Sequence, residues 1–178
     1  MALFRNKSLI GTAAWLVLAG AAFFAFAGPA RADDPSLLSF GVGWFDFNRQ
    51  KNPGAELRFE YRSDYKIPYI QAKPFAAIGG ATSGHGFLGA GILWDVYLGR
   101  RFVVTPSFAP HIYVGGNSKL DLGYVIEFRS QIEIAYRFDD RSRLGVAVSH
   151  YSNAGLGKDN PGAEILSLYY TVPVDKLF

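Results

Sequence analysis

Apolar residues alternate with polar or small ones through most of the chain after Asp33, and a period of two predicts β-strands. From Ala55 to Arg62, Leu57, Phe59 and Tyr61 share one face, while Glu56, Arg58, Glu60 and Arg62 share the other. Tyr124 to Phe138 repeats the pattern: Tyr124, Ile126, Phe128, Ile132, Ile134, Tyr136 and Phe138 oppose Glu127, Arg129, Gln131, Glu133 and Arg137. Elsewhere small residues line the second face, as where Leu38, Phe40, Val42 and Trp44 oppose Ser39, Gly41 and Gly43. About eight segments carry the signal: residues 37–47, 55–64, 69–79, 86–98, 101–114, 123–138, 142–152 and 164–173. Many reach the roughly 10 residues that a tilted strand needs to cross a bilayer.

Side-chain volume decides which face points inward. An eight-stranded barrel has an interior just filled by side chains, so Gly, Ala, Ser and self-pairing Glu/Arg sets fit inside. The bulky apolar face then meets lipid, and the expected fold is an all-β, eight-stranded antiparallel transmembrane barrel. The charged rows Glu56/Arg58/Glu60/Arg62 and Glu127/Arg129/Glu133 become an interior network, because buried charges need partners. Outer-membrane barrels have short periplasmic turns and longer external loops. The turn-rich connections Asn48–Gly54, Gly80–Gly84, Gly115–Leu122 and Asn153–Ala163 are therefore assigned to the external end. Trp44, Tyr61, Tyr69, Trp94, Tyr97, Tyr113 and Tyr136 suit interfacial girdles, and Phe178 resembles an aromatic C-terminal assembly signal.

The first residues place Arg5 and Lys7 before an apolar run from Leu9 to Ala27, then Pro29 and the triplet Ala30-Arg31-Ala32. This layout predicts a signal peptide over residues 1–32 and a barrel domain over 33–178. The apolar run is also long enough for a retained anchor; Gly28, Pro29 and the small-x-small triplet favour cleavage. Loss of that leader removes Arg5, Lys7 and Arg31, so 18 basic and 15 acidic residues become 15 of each. No basic cluster remains to suggest a nucleic-acid partner. The absence of cysteine excludes thiol catalysis, disulfides and thiolate metal sites, and the three histidines lack metal-ligand spacing.

Candidate chemistry concentrates between Leu144 and Pro173. His150 and Ser152 lie two apart on one strand, so their side chains leave the same face, with Cα atoms about 6.6 Å apart. Glu164 opens the returning strand, where a carboxylate can hold the imidazole in the correct tautomer. Parity places all three with Leu144, Val146, Val148, Leu166 and Leu168 on the lipid-facing side. Polar groups there are costly unless they pair, which points to function. His85, in an expected loop, and inward-facing His111 are assigned structural roles. Lys158 and Asp159 are assigned as loop charges, with a lipid phosphate as an alternative contact for Lys158.

The block His150-Tyr151-Ser152-Asn153-Ala154, then Asn160-Pro161-Gly162 and Glu164, resembles the active-site region of the lipid A 3-O-deacylase family. The resemblance implies an outer-membrane barrel that removes the ester-linked 3-hydroxyacyl chain from position 3 of lipid A in the outer leaflet, without metal or cofactor. It implies Ser152 as nucleophile, His150 as base and Glu164 as its orienter. Asn160 and backbone N–H groups of residues 153–157 become candidate oxyanion donors. Asn153 is either an oxyanion or substrate-positioning residue or a shaper of the turn. These residues do not specify the leaving group, so a phospholipase or acyltransferase barrel is the nearest enzymatic alternative. A non-catalytic structural or adhesive outer-membrane barrel and a periplasmic lipocalin-like binder are rivals from other classes. A homodimer is left open.

Overall fold

The computed structural model describes residues 34–177. The leader expected over residues 1–32 and the terminal Phe178 lie outside the described residues. Nine strands follow in order: β1 (Leu37–Phe45), β2 (Gly54–Arg62), β3 (Lys73–Ala81), β4 (His85–Leu93), β5 (Val96–Leu98), β6 (Phe102–Gly115), β7 (Ile126–Arg137), β8 (Arg143–Ser152) and β9 (Ala163–Pro173). Every pairing is antiparallel. β1 pairs with both β2 and β9, and β4 pairs with both β3 and β6, so the sheet closes on itself, with the short β5 paired to β6 alone. β4 and β5 are halves of one interrupted stave, and the described wall is an eight-stave barrel.

The sides are as the alternation predicts. Phe40, Trp44, Leu57, Phe59, Ile132, Ile134, Val146 and Leu168 face outward and are exposed, whereas Glu56, Arg58, Glu60, Arg62, Arg129 and Glu133 are buried in the lumen. Closure brings the charges into register. Arg62 donates to Glu60 (Nε to Oε2, 3.1 Å) and to Glu133 (Nη2 to Oε2, 2.6 Å), Arg129 to Glu60 (3.0 Å) and Arg58 to Glu56 (2.8 Å). Pairing offsets the desolvation of these groups and fills the lumen. At the inner end, Arg143 grips Asp34 (2.6 Å) and Asp95 (2.8 Å).

At the outer end an aromatic plug replaces charge: Phe45, Phe87, Tyr113 and Tyr151 pack with Ile165 and with Leu120 and Leu122 from the β6–β7 loop. His85 opens β4 instead of lying in a loop. It is buried, with Asn52 Nδ2 3.0 Å from its Nε2 and Tyr113 Oη 3.0 Å from its Nδ1. His111 faces the lumen as expected.

Several expectations are corrected. The strand predicted from residue 69 begins at Lys73. Tyr69 and Gln71 take positive φ of 69° and 55°, and Gln71 N–H bonds back to Ile67 O at 2.9 Å, which makes residues 67–72 a turn. The segment 86–98 is interrupted at Trp94 and Asp95, where the Asp95 carboxylate is drawn inward by Arg143, Lys73 and Thr105. Tyr113 and Tyr97 leave the proposed girdle, Tyr113 for the plug and Tyr97 for Arg143 (Nη2 to Oη, 3.2 Å). Glu127 has no partner for either carboxylate oxygen among the described residues. It sits at the outer end of β7, opposite His111 in register and beyond the arginine rows.

Candidate active site

Tyr151 fixes which way its neighbours point. Its ring is fully buried, stacked on Phe87 with centroids 4.2 Å apart, and its hydroxyl accepts a hydrogen bond from Arg58. Residues flanking an inward anchor on a strand must face outward. His150 is accordingly exposed and Ser152 half-buried on the outer wall, near the external end of β8. Across the ladder, Ala163 and Ile165 are fully buried, so Glu164 between them also faces outward.

Register then joins the acid to the base. His150 and Glu164 are direct partners in the β8–β9 pairing, the arrangement in which facing side chains come closest. His150 Nδ1 lies 3.1 Å from Glu164 Oε1. That contact leaves Nε2, the distal ring nitrogen, for a hydroxyl. Ser152 stands one outward position further along β8, and its hydroxyl makes no hydrogen bond among the described residues. On the other flank, β7 sets Ser130 opposite His150 and Phe128 opposite Ser152.

The two asparagines separate by geometry. Asn153 is fully buried: its side-chain nitrogen donates to Leu122 O (2.9 Å) and Asp159 O (2.7 Å), and its side-chain oxygen accepts from Gly155 N–H (2.9 Å). Both amide protons are therefore spent on holding the β6–β7 and β8–β9 loops together beside Ser152. Asn160 is exposed and accepts from Asn153 N–H at 3.0 Å, with its own amide nitrogen uncommitted among the described residues.

Sequence reasoning missed Arg49. It lies in the β1–β2 loop, 115 positions from Glu164, and reaches it with Nη2 to Oε1 at 3.1 Å and Nε to Oε2 at 3.3 Å. No local motif signals this contact. In the sequence Gly162 reads only as part of the Asn160-Pro161-Gly162 turn. It is buried, with φ of +64°, and a Cβ there would stand 2.9 Å from His150 Cε1 and 3.1 Å from Arg49 Nη2. Below the site, Val42, Gly43, Trp44, Val146, Leu166, Ser167 and Leu168 line an open, largely apolar groove of about 360 Å³ on the outer wall.

A closed antiparallel barrel, apolar outside and charged within, is a transmembrane β-barrel, and this one carries a serine, an imidazole and a carboxylate on its lipid-facing wall. A family model described as lipid A 3-O-deacylase (PagL) matches residues 38–173, and the chain belongs to that family. Among curated proteins it is 28% identical over 107 residues to the lipid A deacylase PagL of Bordetella bronchiseptica, covering 58% of this chain and 60% of that protein. It is 39% identical over 54 residues to PagL of Pseudomonas aeruginosa, covering 30% and 31% of the two chains. The aligned segments thus span less than two thirds of either relative. The fold is similar to the solved outer membrane enzyme PagL, with TM-score 0.62, 21% identity and coverage of 78% of this chain and 99% of that one. It is also similar to a de novo designed transmembrane β-barrel, with TM-score 0.53, 13% identity and coverage of 80% and 100%.

Proposed function

We propose that this chain is an outer-membrane esterase that hydrolyses the 3-O-linked 3-hydroxyacyl chain of lipid A by a Ser-His-Glu mechanism, after export on a leader cleaved near Ala32. The observation that carries the reading is the His150–Glu164 contact of 3.1 Å on the lipid side of the wall, with Ser152 one outward position away. An imidazole held at Nδ1 by a carboxylate presents Nε2 as a base. In this reading Ser152 Oγ attacks the acyl carbonyl as its proton passes to His150 Nε2. The imidazolium, stabilised by Glu164, then protonates the departing sugar oxygen. Water deprotonated by His150 attacks the acyl-enzyme, releasing the fatty acid and regenerating Ser152.

Membership of the family supports lipid A as substrate, and the site's place on the wall supports its delivery from the outer leaflet. Lipid-facing polar groups can be reached sideways by a lipid that never leaves the bilayer. The apolar groove beneath, lined by Leu166 and Leu168 on β9 and Val146 on β8, suits an acyl chain. For the oxyanion, the uncommitted Asn160 amide is the side-chain donor we assign; Asn153 is assigned to shaping the loop. A single chain supplies every group used, so a homodimer adds nothing to the chemistry.

Mass spectrometry of lipid A from a Gram-negative host expressing the chain tests the reading. The expected result is loss of one 3-hydroxyacyl group, absent with Ser152→Ala and with His150→Ala. An unchanged spectrum from an assembled wild-type barrel overturns the substrate, and persistent cleavage by Ser152→Ala overturns the nucleophile.

A further inference from the structure

The Glu164 carboxylate has two partners, of which the proposed mechanism uses one. His150 Nδ1 and Arg49 Nη2 each stand 3.1 Å from the same oxygen, Oε1, while Arg49 Nε reaches Oε2 at 3.3 Å. The guanidinium thus grips the carboxylate along both oxygens, the forked geometry that fixes a carboxylate's plane as well as its position. A built loop delivers it. Phe47 N–H bonds to Glu164 O at 3.2 Å, extending the β1–β9 ladder beyond β1. Asp46, fully buried, then turns the chain: it takes a φ of 53°, its carbonyl accepts from Gln50 N–H at 3.0 Å and its carboxylate from Asn52 N–H at 2.8 Å. Arg49 projects from this turn over the site. Gly162 leaves open the space beside both ring and guanidinium, since its missing Cβ would lie near each.

Resting on the esterase reading above, we propose that Arg49 is a positioning residue that acts through Glu164. It holds the carboxylate in the plane from which Oε1 meets His150 Nδ1. The pair is part-exposed, with side-chain exposures of 35% and 21%, and such ion pairs contribute little to stability. Its main effect is therefore on orientation, and the rate can be read separately from folding.

The test is a double-mutant cycle on the full chain, purified from a Gram-negative host, with ester-acylated lipid A in mixed micelles as substrate. Barrel formation is followed by heat-modifiable gel mobility. Arg49→Ala lowers kcat by about 10-fold and leaves KM within about twofold. Arg49→Lys, which keeps the charge but not the fork, recovers part of the loss. In a Glu164→Gln background the same Arg49→Ala change costs less than about twofold, because its partner is already gone. Equal losses in both backgrounds, a loss confined to KM, or no loss at all overturns the proposal; the first two make Arg49 a substrate contact. A readout independent of turnover is the downfield Nδ1–H proton resonance of His150, expected in wild type and Arg49→Lys and broadened in Arg49→Ala. Its persistence unchanged in Arg49→Ala also overturns the proposal. Failure of the esterase reading is distinct: it is a folded wild type that shows the resonance and does not release acyl chain.

Discussion

Replacing Gly162 with alanine separates backbone strain from active-site displacement, because Gly99 provides a matched control. Both glycines occupy left-handed conformations, with φ of +64° and +70°, so both substitutions carry a backbone cost of about 1–2 kcal/mol. Their surroundings differ. A Cβ at residue 99 meets nothing within 4 Å, whereas one at 162 lies 2.8 Å from Tyr151 O, 2.9 Å from His150 Cε1 and 3.1 Å from Arg49 Nη2. The Tyr151 carbonyl is backbone at the end of the β8–β9 ladder and yields least, so the imidazole and guanidinium must move instead. A shift of some tenths of an ångström at the base, towards the 1 Å misplacement that costs about 100-fold, predicts a kcat reduced roughly 10- to 100-fold. Gly99→Ala, in the inner turn between β5 and β6, loses comparable stability and retains wild-type kcat. Acyl release from lipid A micelles gives the rates, and urea unfolding in vesicles gives the stabilities. Wild-type turnover by a folded Gly162→Ala barrel, or equal loss of rate in both variants, would falsify the claim that this glycine makes room for the base.

Other outcomes follow from the same geometry. Asn160→Ala lowers kcat by roughly 100-fold with little change in KM, as removal of an oxyanion donor does. Asn153→Ala instead strands the Leu122 and Asp159 carbonyls, at about 1–3 kcal/mol for each buried group left unsatisfied, so its first symptom is a lower unfolding midpoint in urea. Val146→Arg puts a charge on the lipid-facing wall and destabilises the barrel by roughly 2–4 kcal/mol in vesicles; an unchanged midpoint would refute the assignment of that face to lipid. In the inner turn, hydrogen bonds from the Ser142 hydroxyl and N–H and from Lys176 lower the Asp140 carboxyl to about 2. A depressed acid contributes stability above its unfolded value of about 3.9 and loses it as pH falls through the folded value. The Asp140 contribution therefore persists to pH 4 and fades towards pH 2, which a carboxyl NMR titration checks through its midpoint.

The candidate site divides according to the distance over which its parts communicate. His150 and Ser152 were legible because two residues of one strand share a face whatever that strand pairs with. Glu164 was legible because a hairpin returns its strand alongside and parity selects the same face. Residues 67–72 form a turn and not the start of a strand because the backbones at Tyr69 and Gln71, with φ of 69° and 55°, leave the extended conformation. Sequence alone leaves Asn153 between an oxyanion role, like that of Asn160, and the shaping of the turn. Only the folded loop shows which amide is consumed by the Leu122 and Asp159 carbonyls and which is left over.

By itself the sequence determined most of the strands, the side of the wall on which most strand residues lie, and the outward direction of the serine, histidine and glutamate. Period-two alternation is a property of consecutive residues, and bulk separates lipid from lumen without reference to any partner. Tertiary structure alone decided the pairing of Arg62 with Glu133, the lack of a hydrogen-bond partner for Glu127 among the described residues and the reach of Arg49 to Glu164. Those contacts join staves and loops that meet only when β1 closes on β9 and β4 on β6, and register across a closure is set by the whole circumference, not by any one segment.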